Sequence, residues 1–366
     1  MKEKHCVFSA SDLIALFALS TCVLFLMRRF ARIVGLVDKP NARKLHSGSV
    51  PLVGGISICI SLLFFLWNNA DLIPHTDLYS VSILVLVIIG ALDDKFDISY
   101  KIRFLIQALL SIAMIEVGNI ELSTIGNILG TGDIDLGIAG YVITILAVVG
   151  AINAFNMVDG IDGLLGGLSV VTFAGVAFMM TTVNHYDLAY LSTAMIVIMA
   201  PYILFNLGLL GRKRKVFMGD AGSMVIGFTI VWFLLLSSQT GQQASIRPVT
   251  CLWLIAIPLM DMAAIMFRRV RRGHSPFRPD REHLHHIFQR LGLSSTQTLL
   301  VICSVAALFA GFGIYGELTG INESIMFISF IFCFAIYAAL LSYVWRITRF
   351  IRSWRKQDKP EHALNG

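Results

Sequence analysis

Long apolar runs separated by short polar segments follow one another along almost the whole chain. A helix needs ~20 mostly apolar residues to cross the hydrocarbon core of a bilayer, and somewhat shorter runs suffice inside a bundle. The pattern therefore predicts an all-α, multi-pass membrane protein with about eleven transmembrane helices. The predicted helices cover residues 8–27, 50–67, 78–92, 103–118, 138–156, 164–183, 188–207, 221–238, 249–267, 298–316 and 325–345.

The segment 119–137 interrupts this pattern because it is too polar to cross a membrane. Its alternating residues and its glycines predict a short external β-hairpin. No internal repeat, low-complexity tract or long linker is evident, so residues 1–366 are expected to form a single integral-membrane domain with a basic tail from about 346 to 366. The run 8–27 has no small-residue cleavage pattern and is interpreted as a retained first helix.

Composition agrees with a membrane protein. Apolar residues make up 56% of the chain and charged residues only 14%, with a mean hydropathy of +0.76. A soluble chain would be near ~45–50% apolar and ~25% charged. The cysteines are scattered and form no C-x-x-C pair, which argues against a zinc site and a disulfide framework.

The positive charges indicate the orientation. If residues 28–49 are cytoplasmic, every Lys and Arg of the chain except Lys2, Lys4 and Arg247 falls in a cytoplasmic segment. Cytoplasmic loops of membrane proteins carry such an excess. We therefore expect a periplasmic N-terminus and a cytoplasmic C-terminus. The net charge of +6 then reflects topology, and no nucleic-acid partner is expected.

Polar motifs collect on the predicted cytoplasmic side. They read LDDKFD after the third helix, NAFNMVDGIDG after the fifth, VFMGDAGS before the eighth and PDREHLHHIFQR after the ninth. Carboxylates without a common role would divide between the two sides of the membrane. Their convergence predicts one shared site.

The first motif places Asp93, Asp94 and Asp97 at the end of a helix, where acids oppose the helix macrodipole. Adjacent carboxylates repel each other unless a cation joins them, and oxygen-rich clusters suit magnesium or manganese. The alternative is a solvated helix end. Lys101 and Arg103 follow and are candidates for holding phosphate oxygens, or are simply part of the cytoplasmic charge excess.

Two amides and two carboxylates of the second motif recur at three-residue steps along an expected helical row: Asn153, Asn156, Asp159 and Asp162. Gly160 and Gly163 would let the backbone leave the helix or approach a ligand. Helix capping would account for one such residue but not for four. A set of this kind at the end of a membrane helix is costly unless it binds something.

The third motif places Asp220 between two glycines just before the eighth helix. An aspartate there is explained equally well as an N-cap. A helix N-terminus with nearby glycines is also an anion site, and an aspartate beside it can hold the metal that a phosphate requires.

The remaining candidates belong to the ninth predicted helix and the loop that follows it. His283, His285 and His286 form an H-x-H-H pattern that is a weak zinc signature. Contacts to a nucleotide or sugar phosphate, helped by the arginines of this loop, are preferred. Asp261 lies inside the helix, where an acid is a functional candidate, and a structural hydrogen-bonded role is equally compatible.

These motifs together resemble a known family, the polyprenyl-phosphate N-acetylhexosamine-1-phosphate transferases. The resemblance covers about residues 8–350 and is carried by GLVDKPNARKLHSGSVPLVGG, GALDDKFDISYKIR, NAFNMVDGIDGLLGG, KVFMGDAGS and SPFRPDREHLHH. It implies a phosphoglycosyl transferase of the bacterial inner membrane whose active site faces the cytoplasm. The HLHH reading is similar to the branch that uses UDP-GlcNAc, and unlike the longer histidine run of the MurNAc-pentapeptide branch.

The resemblance further implies transfer of GlcNAc-1-phosphate from UDP-GlcNAc to undecaprenyl phosphate with release of UMP. The lipid product would start O-antigen or enterobacterial common antigen chains, and a homo-oligomer is left open. Transfer from one pyrophosphate to another needs no ATP, in keeping with the absence of a P-loop motif.

The residue roles that follow from the resemblance begin with a bound Mg²⁺ (or Mn²⁺) ion. Asp220 and Asn156 would hold it, helped by Asp94 or Asp159, while Asp93 would orient or deprotonate the acceptor phosphate. The remaining residues would bind donor and phosphates, with Asp159 and Asp162 also keeping the geometry of the catalytic site: Lys101, Asn153, Asp159, Asp162, Asp261, His283, His285 and His286.

Two other functions are alternatives to this one. DDKFD also matches the D-D-x-x-D motif of prenyltransferases, but a second such motif is missing. An ion-coupled transporter, a different class, would place acids near the midplane of repeated halves. The acids of this chain collect instead at the cytoplasmic boundary.

Overall fold

The computed structural model describes residues 10–38, 49–239, 245–275 and 283–357, with the side chains of 212 and 344–357 excepted. The predicted basic tail beyond 357, the external Lys2 and Lys4, and parts of two motifs (39–48 and 276–282) lie outside these residues. The described chain is mostly helical. Its thirteen helices are α1 Ala10–Val34, α2 Gly54–Asn68, α3 Thr76–Phe96, α4 Tyr100–Glu116, α5 Ile138–Val158, α6 Leu164–Thr182, α7 Tyr186–Asn206, α8 Gly219–Gln239, α9 Pro248–Leu254, α10 Ala256–Arg271, α11 Leu284–Arg290, α12 Ser295–Leu318 and α13 Glu323–Gln357.

The helices are those of a multi-pass membrane protein. In the described part of the chain, eight helices are long and apolar enough to cross a membrane. The number of candidate spans rises to nine if α9 and α10 together make one span. Two predicted spans fall short of this test. At 1.5 Å per residue, α2 and α4 are only ~22 and ~26 Å long, and α4 begins with charged residues. The count of eleven spans is therefore not confirmed by helix length and composition.

The predicted ninth span, 249–267, is not one continuous helix. It consists of α9 and α10, which are bent by 82° at Ile255. Pro258 supplies a physical reason, because proline has no N–H to bond the carbonyl of Leu254 four residues earlier.

Helix α8 lies at the centre of the fold. It packs against α5, α3, α2 and α6, and its side chains are buried along nearly its whole length. Tyr79 of α3 packs against Phe228 and Trp232 of α8, and its hydroxyl is hydrogen-bonded to Thr229 Oγ1 at 2.7 Å. This packing fixes α3 and α8 side by side and sets where their neighbouring ends lie.

The β structure is small. Strand β1, Val37–Asp38, pairs antiparallel with β2, Val50–Pro51, and Leu52 forms an isolated parallel bridge with Phe217. The β-hairpin predicted at 119–137 is not confirmed. Within that segment the structure contains one isolated antiparallel bridge, between Thr124 and Asp135.

The side chain of Gln239 accounts for part of this irregular backbone. Its Oε1 accepts hydrogen bonds from the N–H groups of Ser123 and Thr124, and its Nε2 donates to the carbonyl of Thr124. A side chain from the end of α8 thus takes over bonds that a partner strand would otherwise make.

Candidate active site

The core of the site is the meeting of the end of α3 with the beginning of α8. Asp94 accepts hydrogen bonds from the backbone N–H groups of Asp220 (2.9 Å) and Ala221 (3.4 Å). It therefore caps α8 from a neighbouring helix, and its charge complements the positive end of the α8 dipole. Gly219 precedes this turn at φ +75°, and a Cβ there would come within 2.3 Å of Asp94 Oδ2. The unfavourable interaction of Asp94 with the C-terminal end of the α3 dipole is thus offset by its contact with the N-terminus of α8.

Arg103 joins two of the carboxylates. From the first turn of α4, its Nη1 donates to Asp93 Oδ2 and to Asp220 Oδ2, the latter at 3.1 Å. The Asp93 side chain is buried, whereas those of Arg103 and Asp220 are partly exposed. Helix α3 runs on past its apolar segment and ends at Phe96. Asp97 leaves the helix at φ +53° and does not share a helical face with Asp93.

The end of α5 supplies the amides. Asn156 Nδ2 donates to Asp220 Oδ1 at 2.7 Å and to Ser223 Oγ at 2.8 Å. Asn153 Nδ2 donates to Gln107 Oε1 at 3.0 Å and to the carbonyl of Val149. Asn156 therefore positions Asp220, while Asn153 joins α5 to α4.

The expected helical row does not continue through Asp159 and Asp162. Helix α5 ends at Val158, Asp159 is its C-cap residue, and Asp162 lies in the following loop. Asp162 forms an ion pair with Lys215 from the loop before α8. The row is broken because the segment that contains Gly160 and Gly163 leaves the helix, with Gly163 at φ +79°.

Asp159 lies among other acids. Burial, and after it the charges of Asp220, Asp94 and Asp162, together raise the pKa of Asp159 from 3.8 to about 7. Acids from motifs far apart in the chain are thus neighbours at this site.

Asn206 is a residue that the sequence reasoning missed. It is buried at the end of α7, where its Oδ1 accepts from the N–H of Gly163 at 2.6 Å and its Nδ2 donates to the carbonyl of Val216 at 2.9 Å. One amide thus ties the loop of Asp162 to the loop that leads to Asp220. Its position near the end of an apolar run was the only available signal.

A cavity of about 550 Å³ opens beside the acidic cluster. Residues from the α3–α4 connection, the end of α5 and the histidine segment surround it. Its lining is Asp97, Ile98, Ser99, Tyr100, Arg103, Phe104, Asn153, Asn156, Met157, Gly160, Arg269, His283, His285 and His286. Lys101 is exposed and does not line the cavity, so the structure brings Arg103, and not Lys101, to the carboxylates.

The predicted histidines are adjacent in space. The rings of His283 and His285 are parallel with centroids 5.9 Å apart, and those of His285 and His286 are 4.2 Å apart. His285 packs on Gly160, where a Cβ would lie 2.0 Å from its Nε2. Burial lowers the pKa of His285 to about 3, and the neighbouring His286 and His283 contribute in the same direction. His285 is therefore neutral near pH 7, and its Nε2 is buried without a hydrogen-bond partner.

Asp261 is buried and does not line the cavity, but it contacts His283, which does. Its Oδ2 is 2.9 Å from His283 Nδ1, and its Oδ1 accepts from the N–H of Leu284 (3.1 Å) and the hydroxyl of Tyr337 (2.6 Å). Protein donors therefore contact both carboxylate oxygens. This environment favours the structural alternative for Asp261 over direct substrate contact.

The donor set is compatible with a hard divalent cation. In the described residues, no three His, Cys, Asp or Glu side chains are already arranged as a metal site, and Arg103 bridges Asp93 and Asp220. Magnesium, however, is commonly held by one or two carboxylates together with substrate phosphates and water. Asp220, with several acidic neighbours and an adjacent amide, meets that requirement.

The fold and the site define a class: a multi-pass membrane protein with an acidic, arginine-bridged pocket at the ends of its helices. Comparison with known proteins refines this class. Residues 77–238 match the family described as Glycosyl transferase family 4. The chain is 50% identical over 349 residues (95% of each chain) to the undecaprenyl-phosphate alpha-N-acetylglucosaminyl 1-phosphate transferase of Escherichia coli O157:H7.

Similar values hold for proteins of the same name from two further bacteria. Identity is 52% over 337 residues for Haemophilus influenzae (92% of this chain, 95% of the relative) and 50% over 359 residues for Yersinia pestis (96% and 98%). The chain belongs to Glycosyl transferase family 4, in keeping with the resemblance drawn from its motifs.

Proposed function

We propose that this protein transfers GlcNAc-1-phosphate from UDP-GlcNAc to undecaprenyl phosphate, with release of UMP. The observation that carries this proposal is the acidic cluster in which Arg103 bridges Asp93 and Asp220 and Asp94 caps the turn of Asp220, beside an open cavity at the ends of the membrane helices. Its support is the identity of about half the residues to relatives named for this reaction over nearly their whole length. Membership of this family leaves no support for the prenyltransferase or the transporter.

Such a site has to reduce the electrostatic repulsion between its two substrates. The acceptor phosphate has to approach the β-phosphate of the donor, and both are negative. Arg103 is partly exposed at the cavity wall, so its guanidinium is available to phosphate oxygens as well as to Asp93 and Asp220. Fixed cations that meet developing charge are the main source of catalysis in phosphoryl transfer.

We assign the acceptor side to Asp93. It is buried beside Arg103, and from there it would orient the lipid phosphate and accept its remaining proton. A phosphate monoester has a second pKa near ~6 and loses that proton easily. Orientation is therefore the larger part of the role of Asp93.

Asp220 and Asn156 are the proposed ligands of Mg²⁺ or Mn²⁺. Asn156 presents its amide nitrogen to Asp220, which leaves its carbonyl oxygen as a donor for the ion. When bound, the ion would supply Lewis-acid polarisation of pyrophosphate oxygens. Asp94 bonds the α8 backbone through both oxygens, so its main contribution is to hold Asp220 in place.

The donor side is assigned to the histidine segment and the α5–α6 loop. His283, His285 and His286 line the cavity and would contact the sugar phosphate. Asp162, paired with Lys215, would keep the loop of Asp159 in position. Asn153 lines the same cavity from α5.

The location follows from the charge distribution along the chain. We propose a single domain in the bacterial inner membrane with eleven membrane segments, the shorter α2 and α4 among them, and a cytoplasmic site. The N-terminus and the segment 119–137 would be periplasmic. The lipid product would prime O-antigen or enterobacterial common antigen chains.

A reconstituted reaction tests the function. Purified protein with Mg²⁺, undecaprenyl phosphate and UDP-GlcNAc labelled in both the sugar and the uridine should yield labelled sugar in the lipid fraction and labelled UMP in equal amounts. Omission of the acceptor lipid serves as the control. Release of UDP in place of UMP would contradict the proposal, because it would mean that the sugar alone is transferred.

A further inference from the structure

A group of cations lies where the end of α1 meets the loop between α7 and α8. Arg28 Nη2 donates to the carbonyl oxygen of Lys213 at 2.6 Å, which holds the loop against α1. Arg32 follows Arg28 by about one helical turn and shares its face. The charges of Arg32 and Arg214 both act on Arg28. Arg28, Arg32, Lys213 and Arg214 are called the basic cluster below.

The basic cluster has no compensating acid. Within the residues that the structure describes, none of its four members forms an ion pair with an aspartate or glutamate. Arg28 is only 9% exposed, and its Nε is buried without a hydrogen-bond partner. An unsatisfied buried donor costs ~1–3 kcal/mol, and more when it is charged. A bound anion would reduce the repulsion among the cations.

The excess of positive charge in cytoplasmic loops explains exposed lysines and arginines but not this arrangement. It does not require a buried guanidinium with a free donor beside two other cations. The apolar surroundings add a second constraint on the ligand. Phe30 and Ile33 on the same end of α1, and Leu209 on the loop between α7 and α8, are 54%, 83% and 67% exposed, as expected where this end of the bundle meets lipid chains.

We propose that the basic cluster binds the headgroup phosphate of an anionic phospholipid, whose acyl chains lie against the adjacent apolar side chains. Arginine donors form short, charge-assisted hydrogen bonds with phosphate oxygens. None of the four cations lines the cavity beside the acidic cluster. The phospholipid site is thus separate from the catalytic pocket and does not depend on the transferase assignment.

The experiment measures thermal unfolding of the full-length protein in detergent during titration with lipid. The probes are dioleoyl phosphatidylglycerol, dioleoyl phosphatidylcholine, inorganic phosphate and undecaprenyl phosphate. Phosphatidylglycerol should raise Tm in a saturable way, whereas phosphatidylcholine and inorganic phosphate should not. Undecaprenyl phosphate, the proposed acceptor, should raise Tm through the catalytic pocket, and to the same extent in the original protein and in the variant below. For the variant with Arg32→Gln and Arg214→Gln, each lost cation weakens binding by ~1 kcal/mol, so about 10- to 30-fold more phosphatidylglycerol is needed.

Arg271→Gln is the matched control, because Arg271 is an exposed cation on another cytoplasmic segment. It should leave the titration unchanged. If the doubly substituted protein does not fold, Arg214→Gln alone should show a shift of about fivefold. An equal response to phosphatidylcholine, or an equal loss with Arg271→Gln, would overturn the proposal. So would saturation by inorganic phosphate at the same concentrations, or an equal weakening of the undecaprenyl phosphate response in the doubly substituted protein.

Discussion

At the scale of single residues, the carboxylates of the site differ in what their oxygens contact. Asp94 bonds two backbone N–H groups of α8, Asp93 bonds Arg103, and Asp220 is shared between Arg103 and Asn156. Their sequence context alone would have made them equivalent acids. The contacts separate a residue that positions the site from residues that are available to substrate and metal.

Removal of the carboxylate at Asp94 should therefore affect stability as well as activity. Asp94→Ala is expected to lower the free energy of unfolding by ~1–2 kcal/mol, as other lost helix caps do. Asp220→Asn should instead leave Tm within a few degrees and reduce kcat by at least ~100-fold, typical of a lost electrostatic contact in the transition state. Thermal unfolding and UMP release measure the two effects. Asp77→Asn, at the opposite end of α3, is the control and should change neither.

The raised pKa of Asp159 predicts that the stability of the protein depends on pH. Its folded pKa of about 7 lies above the ordinary 3.8, so ionisation is less favourable in the folded state. The stability that Asp159 contributes is complete below about pH 4 and is lost as pH rises through 7. In the presence of EDTA, Asp159→Asn should thus raise Tm relative to the original protein above pH 7 and not at pH 4. A Tm difference that is independent of pH would contradict this account.

At the scale of elements, the short helix α11 depends on contacts from α10 and α13 for its place. Asp261 of α10 binds both His283 and the first turn of α11, and Tyr337 of α13 binds Asp261. Because α11 has only seven residues, it is too short to be stable on its own. The histidines therefore reach the cavity through a buried acid on a different helix.

Loss of the Tyr337 hydroxyl should loosen this arrangement. Tyr337→Phe removes one hydrogen bond to a charged group, worth ~1.5–3 kcal/mol, and is expected to raise KM for UDP-GlcNAc more than it lowers kcat. Steady-state kinetics at varied donor concentration measure the difference. Tyr315→Phe, an exposed tyrosine on α12, is the control. An equal fall in kcat with unchanged KM would assign Asp261 a role outside donor binding.

The α5–α6 loop and α11 are in contact where Gly160 meets His285. A methyl group at this position would lie 2.0 Å from His285 Nε2, so Gly160→Ala should displace the histidine ring and reduce activity. The double variant Gly160→Ala/His285→Ala should lose less Tm than the two single variants lose together, because the alanine at 160 no longer clashes with a histidine ring. Gly311→Ala, where a Cβ meets nothing within 4 Å, is the control. Additive changes in Tm would contradict the proposed contact.

At the scale of the whole molecule, the central position of α8 explains why the acidic motifs meet. Helices α3 and α5 pack directly against α8, so their ends are brought to the turn that carries Asp220. The two helices α2 and α4 have only 15 and 17 residues, fewer than the eight long membrane helices. Their packing inside the bundle makes short spans tolerable.

Labelling from one side of the membrane tests the topology. With an impermeant maleimide added to intact cells, Thr131→Cys in the external segment should react, whereas His274→Cys should react only after the membrane is permeabilised. Both positions are exposed. The original chain gives the background of its native cysteines. Labelling of both positions in intact cells would contradict eleven membrane segments.

Much of the fold was predictable because long apolar runs leave the chain few alternatives to membrane helices. The boundaries of α3, α5, α6 and α7 fall within a few residues of the predicted spans. The bend at Ile255 and the irregular segment 119–137 were not predicted. Both depend on local backbone bonds, around Pro258 and Gln239, that hydrophobic pattern does not encode.

The sequence by itself determined the membrane class and the family, since these depend on composition and on the order of motifs. Only the tertiary structure decided which of the acids touch one another, that Arg103 and not Lys101 joins them, and that Asn206 and Tyr337 hold the site together. The reason is physical. Hydrophobicity acts on every residue along the chain, whereas a hydrogen bond between residues more than a hundred positions apart exists only once the helices are packed.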